Sequence, residues 1–302
     1  MRFLVNKIFV RIFGGLGNQL FAYAAARRLA IVNNAELIID DISGFQYDSQ
    51  YQRHYQLGHF DISSRKATPA ERMEPFARIR RRVLREWNRR LPFEQRNYLV
   101  QDGNNFDPRL LNLRPNKQLI IEGYWQSEGY FKDVESQIRQ DLCIYPPADN
   151  SNLLSAGYIN SSTAVAVHVR FFDDPVSSSG NNASGGYYHR AVQKMEASVN
   201  GAHYFVFSDR PEEARGLIPL PDERITLIQH NKGDEHAYAD LWLMTQCKHF
   251  IIANSTFSWW GAWLAEFNQK IVISPEIYKG NGVAAWGFDG LIPDKWIKIS
   301  SN

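Results

Sequence analysis

The chain alternates short β-branched or aromatic runs with longer stretches of helical period. Residues 3–13 (FLVNKIFVRIF) read as a strand, and the turn Gly14-Gly15-Leu16-Gly17 follows. Asn18 then opens an Ala/Leu-rich helix, and Ala35–Asp40 reads as a second strand, which makes a βαβ unit. Residues 68–98 read as helical and strongly basic, with seven arginines from Arg78 to Arg90. A strand over 118–122 runs into Gly123-Tyr124-Trp125-Gln126-Ser127, and a helix is expected over 128–142. Pro146-Pro147-Ala148-Asp149-Asn150-Ser151 has the composition of a linker. Beyond it, strands are predicted at 164–170, 203–208, 224–228, 249–253 and 270–274, separated by helices at 185–199, 211–216, 235–247 and 257–267.

This alternation predicts an α/β protein of two Rossmann-like domains, residues 1–148 and 149–302, with parallel sheets facing across a cleft. Composition agrees. Of the 302 residues 44% are hydrophobic and 13% aromatic, which excludes a disordered or fibrous chain. Lys and Arg total 34 against 32 Asp and Glu, a net charge of +2, so wholesale binding of nucleic acid by charge is excluded. Two cysteines, Cys143 and Cys247, fit a reducing compartment and have no metal-like spacing. The N-terminus is broken by Asn6, Lys7 and Arg11, and no apolar run is long enough to span a bilayer, so a cytoplasmic location is expected. For the same reason the sequons at Asn160, Asn182 and Asn254 are expected to stay unmodified.

Candidate chemistry lies at strand ends. A glycine turn before a helix presents free N–H groups and the positive end of the helix dipole, a place for an anion. The pattern here is not the dinucleotide fingerprint, because Leu20 stands at the third glycine position, and it lacks a P-loop's Gly-Lys-Ser/Thr ending. A simple tight turn is the alternative. In AVAVHVR, His168 and Arg170 are two residues apart and share a strand face at its C-terminal end. Arg170 offers a planar fork of donors suited to phosphate, with Asp173 and Asp174 just beyond; an Arg–Asp ion pair is the plainer reading. Ser208-Asp209-Arg210 ends another strand. Asp240 lies on an otherwise apolar helix, where a buried acid needs a partner, and guanine N1 and amino groups would serve. Asn254-Ser255-Thr256-Phe257-Ser258 forms a second cradle at a helix start, unless Ser255 or Thr256 is an ordinary N-cap. Trp259, Trp260 and Trp263 read as core. No Asp-x-Asp triplet is present, so a diphosphate would be met by Arg170 and backbone donors rather than by a metal ion.

Four motifs occur in one order: Gly14-Gly15-Leu16-Gly17-Asn18-Gln19-Leu20-Phe21-x-Tyr23-Ala24, Gly123-Tyr124-Trp125-Gln126-Ser127, His168-Val169-Arg170-x-x-Asp173, and Asn254-Ser255-Thr256-Phe257-Ser258-Trp259-Trp260. Together they resemble the α-1,2-fucosyltransferases of glycosyltransferase family 11, from the first strand to near residue 275. The resemblance implies a GT-B fold, GDP-fucose as donor substrate, inversion at the anomeric carbon, and no metal or other cofactor. It also implies that His168 contacts the nucleoside, Arg170 the β-phosphate, Asp240 the guanine, and Ser255, Thr256 and Ser258 phosphate. Gly15, Gly17, Asn18 and Gln19 would face the sugar diphosphate from the other domain, with Asp209 an additional donor-side residue. Two departures stand out. Phe171 replaces a second arginine, for which Arg210 is a substitute from the next strand end, and Ser208-Asp209-Arg210 replaces Ser-Asp-Asp.

The reading that follows is transfer of fucose to the 2-hydroxyl of a galactose-type acceptor, an oligosaccharide or lipid-linked glycan, in surface polysaccharide or O-antigen synthesis. Arg170 would stabilise the departing diphosphate, Asp173 or else Asp174 would be the base, and Tyr124 and Trp125 would face the acceptor. The alternatives are another nucleotide-sugar donor on the same fold, or a non-catalytic nucleotide- or glycan-binding module. The arginine run reads as a solvated helix face or as a contact for anionic lipid or acidic glycan.

Overall fold

The computed structural model describes residues 6–49, 51–103, 105–171, 183–276 and 290–300. The chain forms two compact units, one of Met1–Cys143 with Phe288–Gly290, the other of Ile144–Gly287 with Leu291–Asn302.

In the first unit β1 (Lys7–Arg11), α1 (Leu16–Val32) and β2 (Glu36–Asp40) form the βαβ start. Then come β3 (Arg65–Lys66), α2 (Ala77–Arg89), β4 (Tyr98–Val100), β5 (Gln118–Glu122) and α3 (Glu135–Asp141). The sheet is parallel, in the order β3-β2-β1-β5-β4. Ile8 and Val10 are buried on one face, where α1 lies with all but a few of its side chains also buried. The Ala24-Ala25-Ala26 run lets that helix approach the sheet closely.

The second unit starts with α4 (Asn150–Ser161) and β6 (Thr163–Val169), then α5 (Gly185–Glu196), β7 (Ala202–Ser208), α6 (Pro211–Arg215) and β8 (Ile225–Ile228). It continues with α7 (Ala237–Thr245), β9 (His249–Ile251), α8 (Thr256–Leu264), β10 (Val272–Pro275) and β11 (Ile297–Ile299). This sheet is also parallel, ordered β11-β10-β9-β6-β7-β8. β6 is buried almost throughout, as a central parallel strand covered on both faces must be. Trp259, Trp260 and Trp263 are buried as expected, with Trp260 and Trp263 edge to face at 5.2 Å between centroids.

Four local expectations are corrected. The helix expected over 68–98 is only Ala77–Arg89: Pro69 and Pro75 lie in the segment before it, and Pro92 follows it. The helix over 128–142 is two 3-10 turns followed by α3, and the Ser127 hydroxyl accepts the Gly129 N–H to start the first turn. The supposed linker runs straight into α4, whose N-cap Asp149 accepts the Asn152 N–H; the small polar residues that suggested a linker are a helix cap. Finally, α1 begins at Leu16 rather than Asn18, with Gly15 at its N-cap. Among the described residues no helix is long and apolar enough to cross a membrane.

Candidate functional site

Each sheet has a switch point where the strand order reverses, and the sequence motifs lie there. In the first unit it falls between β1 and β5, so the glycine turn after β1 and the Gly123–Ser127 segment after β5 are neighbours. In the second it falls between β6 and β9, which places the end of β6 beside the turn into α8. Ligands of open parallel sheets bind at such points, outside the strand C-termini.

In the second unit His168 is 5% exposed, and its Nδ1 has no hydrogen-bond partner among the described residues. Its ring centroid lies 5.5 Å from that of Phe257 in α8. Burial, reinforced by the charge of Arg170, pushes the imidazole pKa down to about 3, so the ring is neutral at any physiological pH. Arg170 points its guanidinium to Asp209 Oδ2 at 2.8 Å, bridging the ends of β6 and β7. The other oxygen of Asp209 accepts the Phe171 N–H at 3.1 Å. The ion-pair reading of Arg170 is therefore correct in geometry, with Asp209 as the acid. Phe171, at the position of the lost arginine, carries the Arg210 guanidinium over its ring at 5.6 Å, so a second cation does stand beside the first strand end. Asp173 and Asp174 lie outside the described residues.

At the start of α8 the Ser255 side chain makes no capping hydrogen bond, so the N-cap reading of Ser255 does not hold. Ser255 and Thr256 are partly exposed at a helix N-terminus, where amide N–H groups lack intrahelical partners. Ser258, by contrast, is fully buried and donates to the Ser255 carbonyl at 3.2 Å; it shapes the turn from inside. Asp240 stands in the first turn of α7, in the connection that follows β8, so it belongs to the same edge of the sheet. Desolvation raises its carboxyl pKa to about 7, opposed by a hydrogen bond from Asn231 Nδ2 at 2.8 Å. Asn231 is in turn paired with the buried Asn152, whose amide exchanges hydrogen bonds with it at 2.9 Å each way. Sequence reasoning missed these two asparagines, since only the fold brings residue 152 to residue 231.

In the first unit Gly14 has φ +76°, a left-handed conformation that suits glycine. Gly17 is buried within α1. Gln19 is fully buried and turned to the protein: its Nε2 donates to Gly14 O and His54 O at 2.9 and 2.8 Å, and its Oε1 accepts the Gln56 N–H at 2.9 Å. The expected ligand residue is thus a staple for the glycine turn. Asn18 Oδ1 accepts from Gln126 Nε2 at 2.8 Å, which ties the two motifs together. A Cβ at Gly15 would lie 3.9 Å from the Arg53 guanidinium carbon, so a cation stands beside the turn. Arg53 was missed because its surrounding segment has no recognisable pattern. Trp125, at φ +52°, is 3% exposed and edge to face with Tyr130. Tyr124 is 36% exposed and sits with its ring 5.1 Å from that of Phe13, close to Gly14. Of the two aromatic residues, Tyr124 offers a face to a ligand and Trp125 packs inside.

Among the described residues no group of three or more His, Cys, Asp or Glu side chains could hold a metal ion.

Two parallel α/β units, each with candidate residues at its switch point, have the fold of the GT-B class. Residues 7–285 match the model of Glycosyl transferase family 11, and the chain belongs to that family. It is similar to an alpha-1,2-colitosyltransferase of Escherichia coli, 27% identical over 98% of this chain and 99% of the relative. The O-antigen biosynthesis glycosyltransferase WbnK of Escherichia coli is 27% identical over 95% and 98%. Galactoside 2-alpha-L-fucosyltransferase SEC1 of Bos taurus is 26% identical over 83% of this chain and 62% of its own length. In structure the chain resembles the fucosyltransferase NodZ from Bradyrhizobium, with TM-score 0.51, 16% identity and coverage of 86% and 94%. It also resembles an Arabidopsis thaliana FUT1 mutant in complex with GDP, with TM-score 0.52, 13% identity and coverage of 90% and 71%. At these identities the structural likeness concerns the fold alone.

Proposed function

We propose that this glycosyltransferase moves fucose from GDP-fucose to the 2-hydroxyl of a galactose-type acceptor in O-antigen or other surface polysaccharide synthesis, with inversion and without a metal ion. The observation that carries the reading is the set of groups gathered at one sheet edge: His168, Arg170 held by Asp209, the start of α8, and Asp240. An ionised Asp240 accepts hydrogen bonds from N1 and the amino group of guanine. His168, neutral and with Nδ1 unengaged among the described residues, faces the nucleoside. Arg170 and the amides at the start of α8 meet the diphosphate, with Arg210 beside them on Phe171.

Negative charge grows on the β-phosphate as the sugar departs. Arg170, fixed in place before the reaction, favours that state over the ground state, and there catalysis is gained. Asp173 takes the acceptor proton, with Asp174 second in line. Tyr124 supplies an aromatic face for the acceptor.

A second donor is favoured by one specific observation, the full-length match to an alpha-1,2-colitosyltransferase. Colitose lacks the 3-hydroxyl of fucose, so a site that hydrogen-bonds that hydroxyl would select fucose, and one without such a partner would accept both. The test is GDP release from GDP-fucose and GDP-colitose with galactosides, with and without EDTA, and NMR of the product. An α-1,2 product formed equally in EDTA supports the proposal. No release from either donor, or loss of transfer with the chelator, overturns it.

A further inference from the structure

A surface helix ordinarily turns its apolar stripe inward and its charges outward. Helix α2 does the reverse. Facing the first sheet are Arg81, Arg85 and Asn88: Arg85 donates to both oxygens of Glu122 at 2.7 Å, and Arg81 lies 3.8 Å from Asp40. Asn88 accepts the N–H groups of Asn97 and Tyr98 at the start of β4, at 2.7 and 2.9 Å. A small cavity of about 20 Å³ under this face is lined by Arg11, Asp40, Glu71, Arg72 and Arg81, among others. The helix is pinned through its polar side.

Its outer side carries Ile79, Val83 and Trp87, each more than 60% exposed, with Phe76 at the N-cap 69% exposed. Spacings of three and four residues put these on one stripe. Exposed Arg80 flanks the stripe on one side and exposed Arg82 and Arg89 on the other, with Arg90 at its end; Glu86 is the single acid of the helix, paired with Arg89 at 3.0 Å.

We propose that α2 lies flat on an anionic membrane surface, inserting Phe76, Ile79, Val83 and Trp87 among the acyl chains while the flanking arginines meet lipid phosphates. Charge complementarity selects this occupant. A second copy of the chain, related by a two-fold axis, would bring arginine rows together. The 13-residue helix is far too short to span a bilayer but suits the interface, where an apolar stripe between basic flanks is the binding feature. The attachment needs no donor, so it stands or falls separately from the reaction proposed above.

The test is flotation of the full-length protein with vesicles of phosphatidylcholine alone or mixed with phosphatidylglycerol, together with Trp87 fluorescence. The wild type is expected to float with the anionic vesicles and to show a blue shift that Trp87→Phe removes. The triple variant Ile79→Ser, Val83→Ser, Trp87→Ser should lose flotation while keeping its circular dichroism and melting temperature, because these side chains are exposed. Arg80→Gln and Arg82→Gln should each weaken partition about fivefold. Absence of flotation on anionic vesicles, equal flotation on neutral ones, or unchanged flotation of a folded triple variant overturns the proposal. So does a dimer that the triple variant dissociates without any vesicle binding.

Discussion

The Arg170 guanidinium lies 2.8 Å from Asp209 Oδ2, joining the ends of two adjacent parallel strands. The same carboxylate accepts the N–H of Phe171, so it fixes both the cation and the backbone immediately beyond it. An arginine held this way needs little rearrangement to meet a charge developing beside it, which is where preorganisation contributes most.

Arg170→Ala is expected to lower kcat by about 10²–10³-fold with the fold intact. Asp209→Asn keeps an oxygen for the Phe171 N–H, and Asp209→Ala does not. The alanine variant should therefore lose more turnover than the asparagine variant, with GDP affinity changed less than kcat in both. Steady-state kinetics with calorimetric GDP binding checks this. An Asp209→Ala enzyme with wild-type kcat would remove the positioning role.

His168 gives stability and binding effects of opposite sign. Its Nδ1 is buried with no partner among the described residues, so His168→Leu removes an unsatisfied polar atom and should leave the melting temperature unchanged or raise it. Loss of a contact to the nucleoside should at the same time weaken GDP binding about tenfold, the equivalent of one hydrogen bond. Because burial holds the imidazole pKa at about 3, wild-type binding should show no step from this ring near pH 6.5. Thermal melts and a calorimetric titration series decide all three points.

Asp240 should set the pH dependence of donor binding. Its carboxyl is raised from 3.8 to about 7 by desolvation, and guanine recognition requires the ionised form. GDP affinity should therefore fall about tenfold for each pH unit below about 7, and Asp240→Asn should flatten the profile at a lower affinity. Stability runs the other way. The folded-state pKa lies above the unfolded one, so the protonated acid's contribution is complete below the ordinary 3.8 and is lost as pH rises through about 7. After allowance for the group's partial exposure, the loss is about 2 kcal/mol. Unfolding measured at pH 5 and 8 should show the larger part of that loss in the wild type and none in Asp240→Asn.

The central strands were legible because parallel strands buried on both faces read as continuous apolar runs, β5 and β6 above all. Edge strands β3, β4 and β11, of two or three residues, have no such run, and β3 is the dipeptide Arg65-Lys66. At the site, motif positions were legible but side-chain direction was not. Gln19 and Ser258 have the right chemistry for a ligand, yet backbone groups already engage them. The arginine run gave away the charge of α2 but not its orientation, because an amphipathic period reads the same whichever face turns inward.

Gly15 and Gln19 separate ligand approach from scaffolding within one turn. Gly15 has φ −70°, and a Cβ there would meet only the Arg53 guanidinium at 3.9 Å or beyond, so Gly15→Ala should leave the melting temperature within about 1 °C of wild type, as surface changes free of strain do. If a phosphate or sugar oxygen approaches the N-terminus of α1, the added methyl obstructs it, and KM for the donor or acceptor should rise several-fold. Gln19→Leu removes three hydrogen bonds that hold the turn to residues 54–56 and should destabilise the protein by about 2–3 kcal/mol. Activity should then be lost in proportion to unfolding at the assay temperature, recovering when the assay is cooled. A Gly15→Ala enzyme with unaltered KM for both substrates would assign the glycine turn to architecture alone.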